Sequence, residues 1–203
     1  MNQADQPESS ENPFCSRRVR PGGIPYLFAP GESAAELVDR LRDSGWWGQI
    51  VGPHGSGKSA LLAALMPAIE AAGRRTVLIE LHDGQRQMPP DFRRRLDAGC
   101  PTVLIVDGYE QLSLWQRLRL RRFCRRGGMG LLLTAHAPVG LPDLCHTSVT
   151  PELAQQIVER LQRGHPPRIA AADVAERFAC QSGDLRETLF DLYDLYEERR
   201  GGA

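Results

Sequence analysis

The sequence predicts a three-layer α/β fold, with a parallel sheet covered on both faces by helices and a small all-helical lid after it. Three observations predict this. Four short apolar runs lack polar–apolar alternation and are separated by helical patterns, as in strands buried on both faces of a parallel sheet. The first run leads directly into a glycine-rich loop and an amphipathic helix. The text after Pro151 holds three helical patterns and no strand signal.

Taken in order, residues 1–12 are polar and acidic and read as a frayed tail. From Pro13 to Gly31 the chain is dense in Pro and Gly, but Phe14, Tyr26, Leu27 and Phe28 give it enough apolar surface to lie against a core. Ala35, Leu37, Val38 and Leu41 then recur at helical spacing, and Gly45 stops that helix. The strands are expected at Gln49–Val51, Thr76–Leu81, Thr102–Val106 and Gly130–Thr134, with a fifth near Thr147–Thr150. Helices are expected between them over Lys58–Ala72, Asp91–Ala98 and Ser113–Arg126, the last opened by a Ser113/Gln116 capping box. Beyond residue 150, helices are expected near Glu152–Arg163, Ala171–Cys180 and Asp184–Arg199, with Asp184 and Glu187 at capping-box spacing. The organisation is therefore a tail over 1–12, an α/β body over 13–150 and a helical lid over 151–203.

The composition narrows the chemistry. The 203 residues are 41% hydrophobic, enough to bury a sizeable core. Lys and Arg together number 25, as do Asp and Glu, so a globally basic nucleic-acid coat is excluded and only local patches remain. No apolar run approaches the roughly 18 residues of a membrane span, and a signal-peptide core is missing. Cys15, Cys100, Cys124, Cys145 and Cys180 are scattered and odd in number, which suits free thiols in a reducing cytoplasm rather than a metal site. All but one of the 25 basic residues are arginine. The exception is Lys58, a position that asks for a compact ammonium rather than a planar fork.

Lys58 falls inside Gly52-Pro53-His54-Gly55-Ser56-Gly57-Lys58-Ser59, a full match to G-x-x-x-x-G-K-[ST]. Glycines let successive backbone N–H groups approach a polyphosphate, and the helix starting there presents its positive end. Lys58 is positioned to reach β/γ-phosphate oxygens and Ser59 to coordinate Mg²⁺. His54 occupies a variable slot and receives no role.

A phosphate loop needs a carboxylate for its metal, and Asp107 ends a buried-looking strand at the expected distance along the chain. Hydrolysis also needs a group that orients or deprotonates water. The residue after Asp107 is Gly108, so the nearest carboxylate is Glu110, read either as that group or as a solvated residue opening the next helix. Thr134 ends the fourth strand, where its hydroxyl either meets the γ-phosphate or the attacking water or is simply a satisfied buried group. His136 follows as a weaker candidate.

These features resemble the AAA+ class of P-loop ATPases, in the ASCE division, over about Gly31–Arg199. The segment Ser182-Gly183-Asp184-Leu185-Arg186-Glu187 looks like the G-x-x-R start of the sensor-two helix in the replication-initiator and clamp-loader branches. The resemblance implies a P-loop NTPase fold, ATP and Mg²⁺ as cofactors, Thr134 as sensor one and Arg186 as sensor two. Gly108 departs from the class, where many members carry glutamate, and implies slow or partner-stimulated hydrolysis.

Two further stretches bear on partners. Arg117, Arg119, Arg121, Arg122, Arg125 and Arg126 lie in a segment without an acid, and serve nucleic-acid phosphates, an acidic partner, an arginine finger or merely a solvated face. Tyr26, Leu27 and Phe28 either contact adenine or anchor their segment to the core, and the guanine-reading N-K-x-D pattern is absent. The leading expectation is a cytoplasmic, Mg²⁺-dependent ATP-binding switch or ATPase acting on a protein partner or on its own oligomer. The alternatives are a nucleotide-holding adaptor associated with DNA and, less favoured, a phosphotransferase.

Overall fold

A computed structural model describes residues 11–20, 22–82, 84–96 and 99–201. These fall into two compact units. One comprises residues 25–53 and 58–147; the other comprises 11–24, 54–57 and 148–201.

The larger unit is a five-stranded sheet, all of it parallel, formed by β1 (Trp47–Val51), β2 (Arg75–Glu80), β3 (Thr102–Asp107), β4 (Gly130–Ala135) and β5 (Asp143–His146). The order across the sheet is β2-β3-β4-β1-β5, so β4 separates the strand that enters the glycine-rich loop from the strand that ends in Asp107. Val103 and Ile105 of β3 and Leu132 of β4 point into a core with Leu37, Leu41, Leu61 and Leu65. Leu104, Val106, Leu131 and Leu133 point to the opposite face, against Phe92, Tyr109, Leu120 and Cys124. Burial of successive residues on alternate faces is the reason these strands carry no polar alternation. The covering helices are α2 (Ala34–Asp43), α3 (Lys58–Ala71) and α4 (Leu114–Arg126). Ser33 Oγ caps α2 through the Glu36 N–H, and Ser113 Oγ accepts the Gln116 N–H at the start of α4.

Two elements differ from expectation. The helix expected over Asp91–Ala98 is only a 3-10 turn at Phe92–Arg95. Pro89 and Pro90 precede it, and Phe92 is its one buried side chain, too little apolar surface to hold a longer helix; Ala98 lies outside the described residues. The fifth strand is Asp143–His146 rather than Thr147–Thr150, because Leu144 is the residue that enters the core. Thr150 instead caps the next helix, with its Oγ1 accepting the Leu153 N–H at 3.2 Å. A buried polar residue, Gln49, sits inside β1. Its Oε1 accepts the Val139 and Leu141 N–H groups and its Nε2 donates to Asp143 Oδ1 at 2.5 Å, which pins the connection between β4 and β5.

The smaller unit packs α5 (Pro151–Leu161), α6 (Ala171–Cys180) and α7 (Leu185–Gly201), with one turn of helix, α1 (Ser16–Val19), near its start. Leu185, Leu189, Leu192 and Tyr196 form the buried stripe of α7. Residues 1–10 of the expected tail lie outside the described residues, and Asn12 departs from it. Asn12 is buried, donates to Tyr193 O at 3.1 Å and to Glu197 Oε1 at 2.8 Å, and accepts the Phe14 N–H. Phe14, fully buried, meets the Tyr196 ring edge-on at 5.9 Å.

Candidate functional site

The glycine-rich segment begins where β1 ends, and the Gly52 N–H donates to Ala135 O at the end of β4. Gly55 and Gly57 both take left-handed backbone angles, φ 63° and 89°, which explains glycine at each. Lys58 opens α3. Its ammonium is buried and donates to Gly52 O at 2.8 Å and Pro53 O at 2.6 Å, so the chain's lone lysine is bent back over the loop that precedes it.

Ser59, Asp107 and Thr134 are brought together in one hydrogen-bonded row. Ser59 Oγ donates to Asp107 Oδ2 at 2.5 Å, and Thr134 Oγ1 donates to Asp107 Oδ1 at 2.5 Å. Thr134 Oγ1 in turn accepts the Gly108 N–H at 2.9 Å. Parallel pairing of β3 with β4 brings Asp107 and Thr134 level, and Ser59 meets them from the first turn of α3. The threonine hydroxyl therefore fixes the carboxylate. Two hard oxygens side by side suit a Mg²⁺ ion, which takes one or two protein oxygens and completes its shell with phosphate and water. Among the described residues no group of three or more His, Cys, Asp and Glu side chains could hold a metal by itself.

Gly108 has a steric cause. Its φ is 79°, and a methyl built on it would stand 2.6 Å from the Leu81 carbonyl oxygen, so this backbone leaves no room for a glutamate directly after Asp107. Glu110 lies in the following 3-10 turn, Tyr109–Gln111. Its Oε1 is 3.2 Å from His136 Nε2, while Oε2 is buried without a hydrogen-bond partner among the described residues. His136 stands just past β4, beside the strand whose end carries Asp107 and then Glu110, and that place in the chain is its one signal in the sequence.

In the smaller unit, Ser182 and Gly183 take left-handed angles and deliver Asp184 as the cap of α7, its Oδ1 accepting the Arg186 and Glu187 N–H groups. A methyl built on Gly55 would stand 1.9 Å from that same Oδ1. The cap carboxylate thus rests against the loop glycine, a contact sequence reasoning missed. The Arg186 side chain is exposed, with its guanidinium 5.8 Å from the Phe190 ring centre.

The arginines of α4 divide into two sets. Arg117 donates to the Leu112 and Glu110 carbonyls, and Arg121 to Tyr109 Oη and the Val139 carbonyl. Arg119, Arg122, Arg125 and Arg126 are exposed, with Arg125 over the Trp47 ring at 5.3 Å. Tyr26 and Phe28 pack edge-on at 4.9 Å against the α2–α3 core, and burial pushes the Tyr26 hydroxyl up to about 12. The anchoring reading explains both rings.

No protein-family model and no curated protein matches the sequence. Solved structures do. A Walker-type ATPase of Pyrococcus abyssi superposes with a TM-score of 0.51 at 9% identity, over 80% of this chain and 66% of that one. The replication initiator DnaA, bound to AMPPCP and single-stranded DNA, superposes with a TM-score of 0.56 at 16% identity, over 85% and 63%. The fold is that of the P-loop ATPases. It is the architecture expected from the AAA+ resemblance, and this chain spans slightly under two thirds of each of those two structures. Among the described residues no helix is long and apolar enough to cross a membrane.

Proposed function

We propose that this chain is a Mg²⁺-dependent ATP-binding switch whose hydrolysis is slow or stimulated by a partner. The observation that carries the proposal is the row Ser59–Asp107–Thr134, whose first member directly follows Lys58 and its glycine loop. In this reading residues 52–59 bind the triphosphate. Lys58 exchanges its two loop carbonyls for phosphate oxygens, and the backbone N–H groups supply the remaining contacts. Ser59 and Asp107 hold the Mg²⁺, which neutralises charge on the β- and γ-phosphates. Thr134 acts on Asp107, keeping the carboxylate from rotating away when its serine partner turns to the metal.

Glu110 is the group for the attacking water. His136 engages one carboxylate oxygen, and the other, buried in this structure, has to turn outward on nucleotide binding to accept a hydrogen bond from that water. Displacement of this role from position 108 to a 3-10 turn supports slow turnover. Residues 151–203 serve as the lid, with Arg186 as its phosphate-sensing arginine, and five cysteines outside any disulfide suit a cytoplasmic setting. The same displacement of Glu110 favours a second reading, an adaptor that holds ATP without turning it over.

Calorimetry with Mg²⁺ and ATP tests the binding claim: the wild type should bind and Lys58→Ala should not. Phosphate release measured across protein concentration separates the two readings. A rate abolished by Glu110→Gln identifies an ATPase, whereas release at the buffer rate in both proteins identifies the adaptor.

A further inference from the structure

We propose that the exposed face of α4 docks on the exposed face of α7 in a second copy of this chain. All five large apolar side chains exposed among the described residues lie on these two helices: Leu114, Trp115 and Leu118 at 73%, 78% and 61%, and Phe190 and Tyr193 at 39% and 37%. Isolated exposed apolar groups need no explanation, but their confinement to two helix faces does.

The two faces are complementary. At 3.6 residues per turn, Leu114, Trp115, Leu118, Arg119, Arg122 and Arg126 share an arc of about 140° on α4. No acid occurs in that helix, whose opposite side is taken up by Leu120 and Cys124. On α7, Glu187, Phe190, Tyr193, Asp194 and Glu198 share a similar arc opposite the buried stripe of Leu185, Leu189, Leu192 and Tyr196, and the same arc holds Arg186, whose guanidinium is 5.8 Å from the Phe190 ring centre. One face is basic with a tryptophan in its first turn, and the other carries three acids, two aromatic rings and Arg186. The helices are 13 and 17 residues long, roughly 20 and 25 Å, so they match in length.

Tryptophan and arginine are the residue types that dominate interface energies. A nucleic acid would use the guanidinium groups but leave Leu114 and Leu118 in water, whereas α7 offers both carboxylates and rings. Because the two surfaces differ, the contact is head-to-tail, and each added copy presents one open face of each kind. The inference names a partner for the switch but does not require nucleotide, so the two proposals fail separately.

The test is sedimentation velocity on the full chain without nucleotide, across concentration and at low and high salt. The wild type should gain mass with concentration, less so at high salt. Trp115→Ala/Arg122→Glu should weaken association at least about tenfold, as should Phe190→Ala/Asp194→Asn, with unchanged circular dichroism in both. Mixing the two variants should restore one contact and give dimers that grow no further, since each supplies the face the other lacks. A wild type that stays monomeric overturns the proposal. So does a mixture that remains dissociated, which would mean like faces pair. Retention of single-stranded DNA by a monomer, lost in Arg122→Glu, reassigns α4 to nucleic acid and overturns it as well.

Discussion

Thr134 holds Asp107 in place: its hydroxyl donates to one carboxylate oxygen at 2.5 Å while accepting the Gly108 N–H at 2.9 Å. Thr134→Val leaves that N–H without its hydroxyl acceptor and one Asp107 oxygen without its donor. An unfolding midpoint in urea should fall by an amount worth about 1–3 kcal/mol, and Thr134→Ser should recover most of it. ATP binding should weaken more with Mg²⁺ than without it. An equal loss under both conditions would show that Thr134 does not act through the metal carboxylate.

The Asp184 carboxylate rests on Gly55, inside the segment proposed to take up phosphate. Asp184→Asn keeps a cap acceptor for the Arg186 and Glu187 N–H groups but removes the negative charge. ATP affinity by calorimetry should rise several-fold. An unchanged or lower affinity would mean that the nucleotide never meets this charge.

Gly55→Ala faces two penalties, a left-handed φ of 63° and a clash 1.9 Å from Asp184 Oδ1. The backbone alone costs about 1–2 kcal/mol. In a double-mutant cycle with Asp184→Gly the clash should vanish and only that backbone cost should persist; strictly additive losses would argue that the two residues do not touch.

Glu110→Gln should lower phosphate release by about 10²-fold or more while leaving ATP binding intact. His136→Asn should fall between the two, because it keeps a donor for Glu110 but loses the ring. Any rate loss matched by an equal loss of affinity would place Glu110 in binding and not in the chemical step.

Two titrations follow from the packing. The Arg199 guanidinium bonded to Asp173, at 2.6 and 2.8 Å, holds that carboxyl below its usual range. A depressed value in the fold stabilises above the unfolded pKa near 4 and is lost as pH falls through the folded value. Acid melting followed by circular dichroism should therefore be less steep in Arg199→Ala. Burial pushes the Cys124 thiol up to about 12, so at pH 8 alkylation read by mass spectrometry should mark exposed Cys100 and Cys180 and spare Cys124 until unfolding.

Much of this was legible because buried parallel strands write themselves as uninterrupted apolar runs, and because Gly52 to Ser59 is a local pattern. Asp107 was legible for the same reason, standing at the end of such a run. The pairing of His136 with Glu110 was not, since it depends on β3 and β4 being neighbours. Nor was the contact of Gly55 with Asp184, whose partners are far apart in the chain. Leu144 is a single buried side chain in a four-residue strand, too weak a period to set its register. Asn12 misled because it is polar by composition, yet buried with its bonds satisfied by backbone and carboxylate; Gln49 is buried in the same way inside the strand expected there.

Because arginine has displaced lysine everywhere but at the start of α3, these residues carry a single side-chain amine, tied to the Gly52 and Pro53 carbonyls. An acylating reagent or a lysine-directed endoprotease therefore has one internal address in the whole sequence. Protection of that address by added ligand becomes a footprint of occupancy, readable in unpurified mixtures without any engineered label.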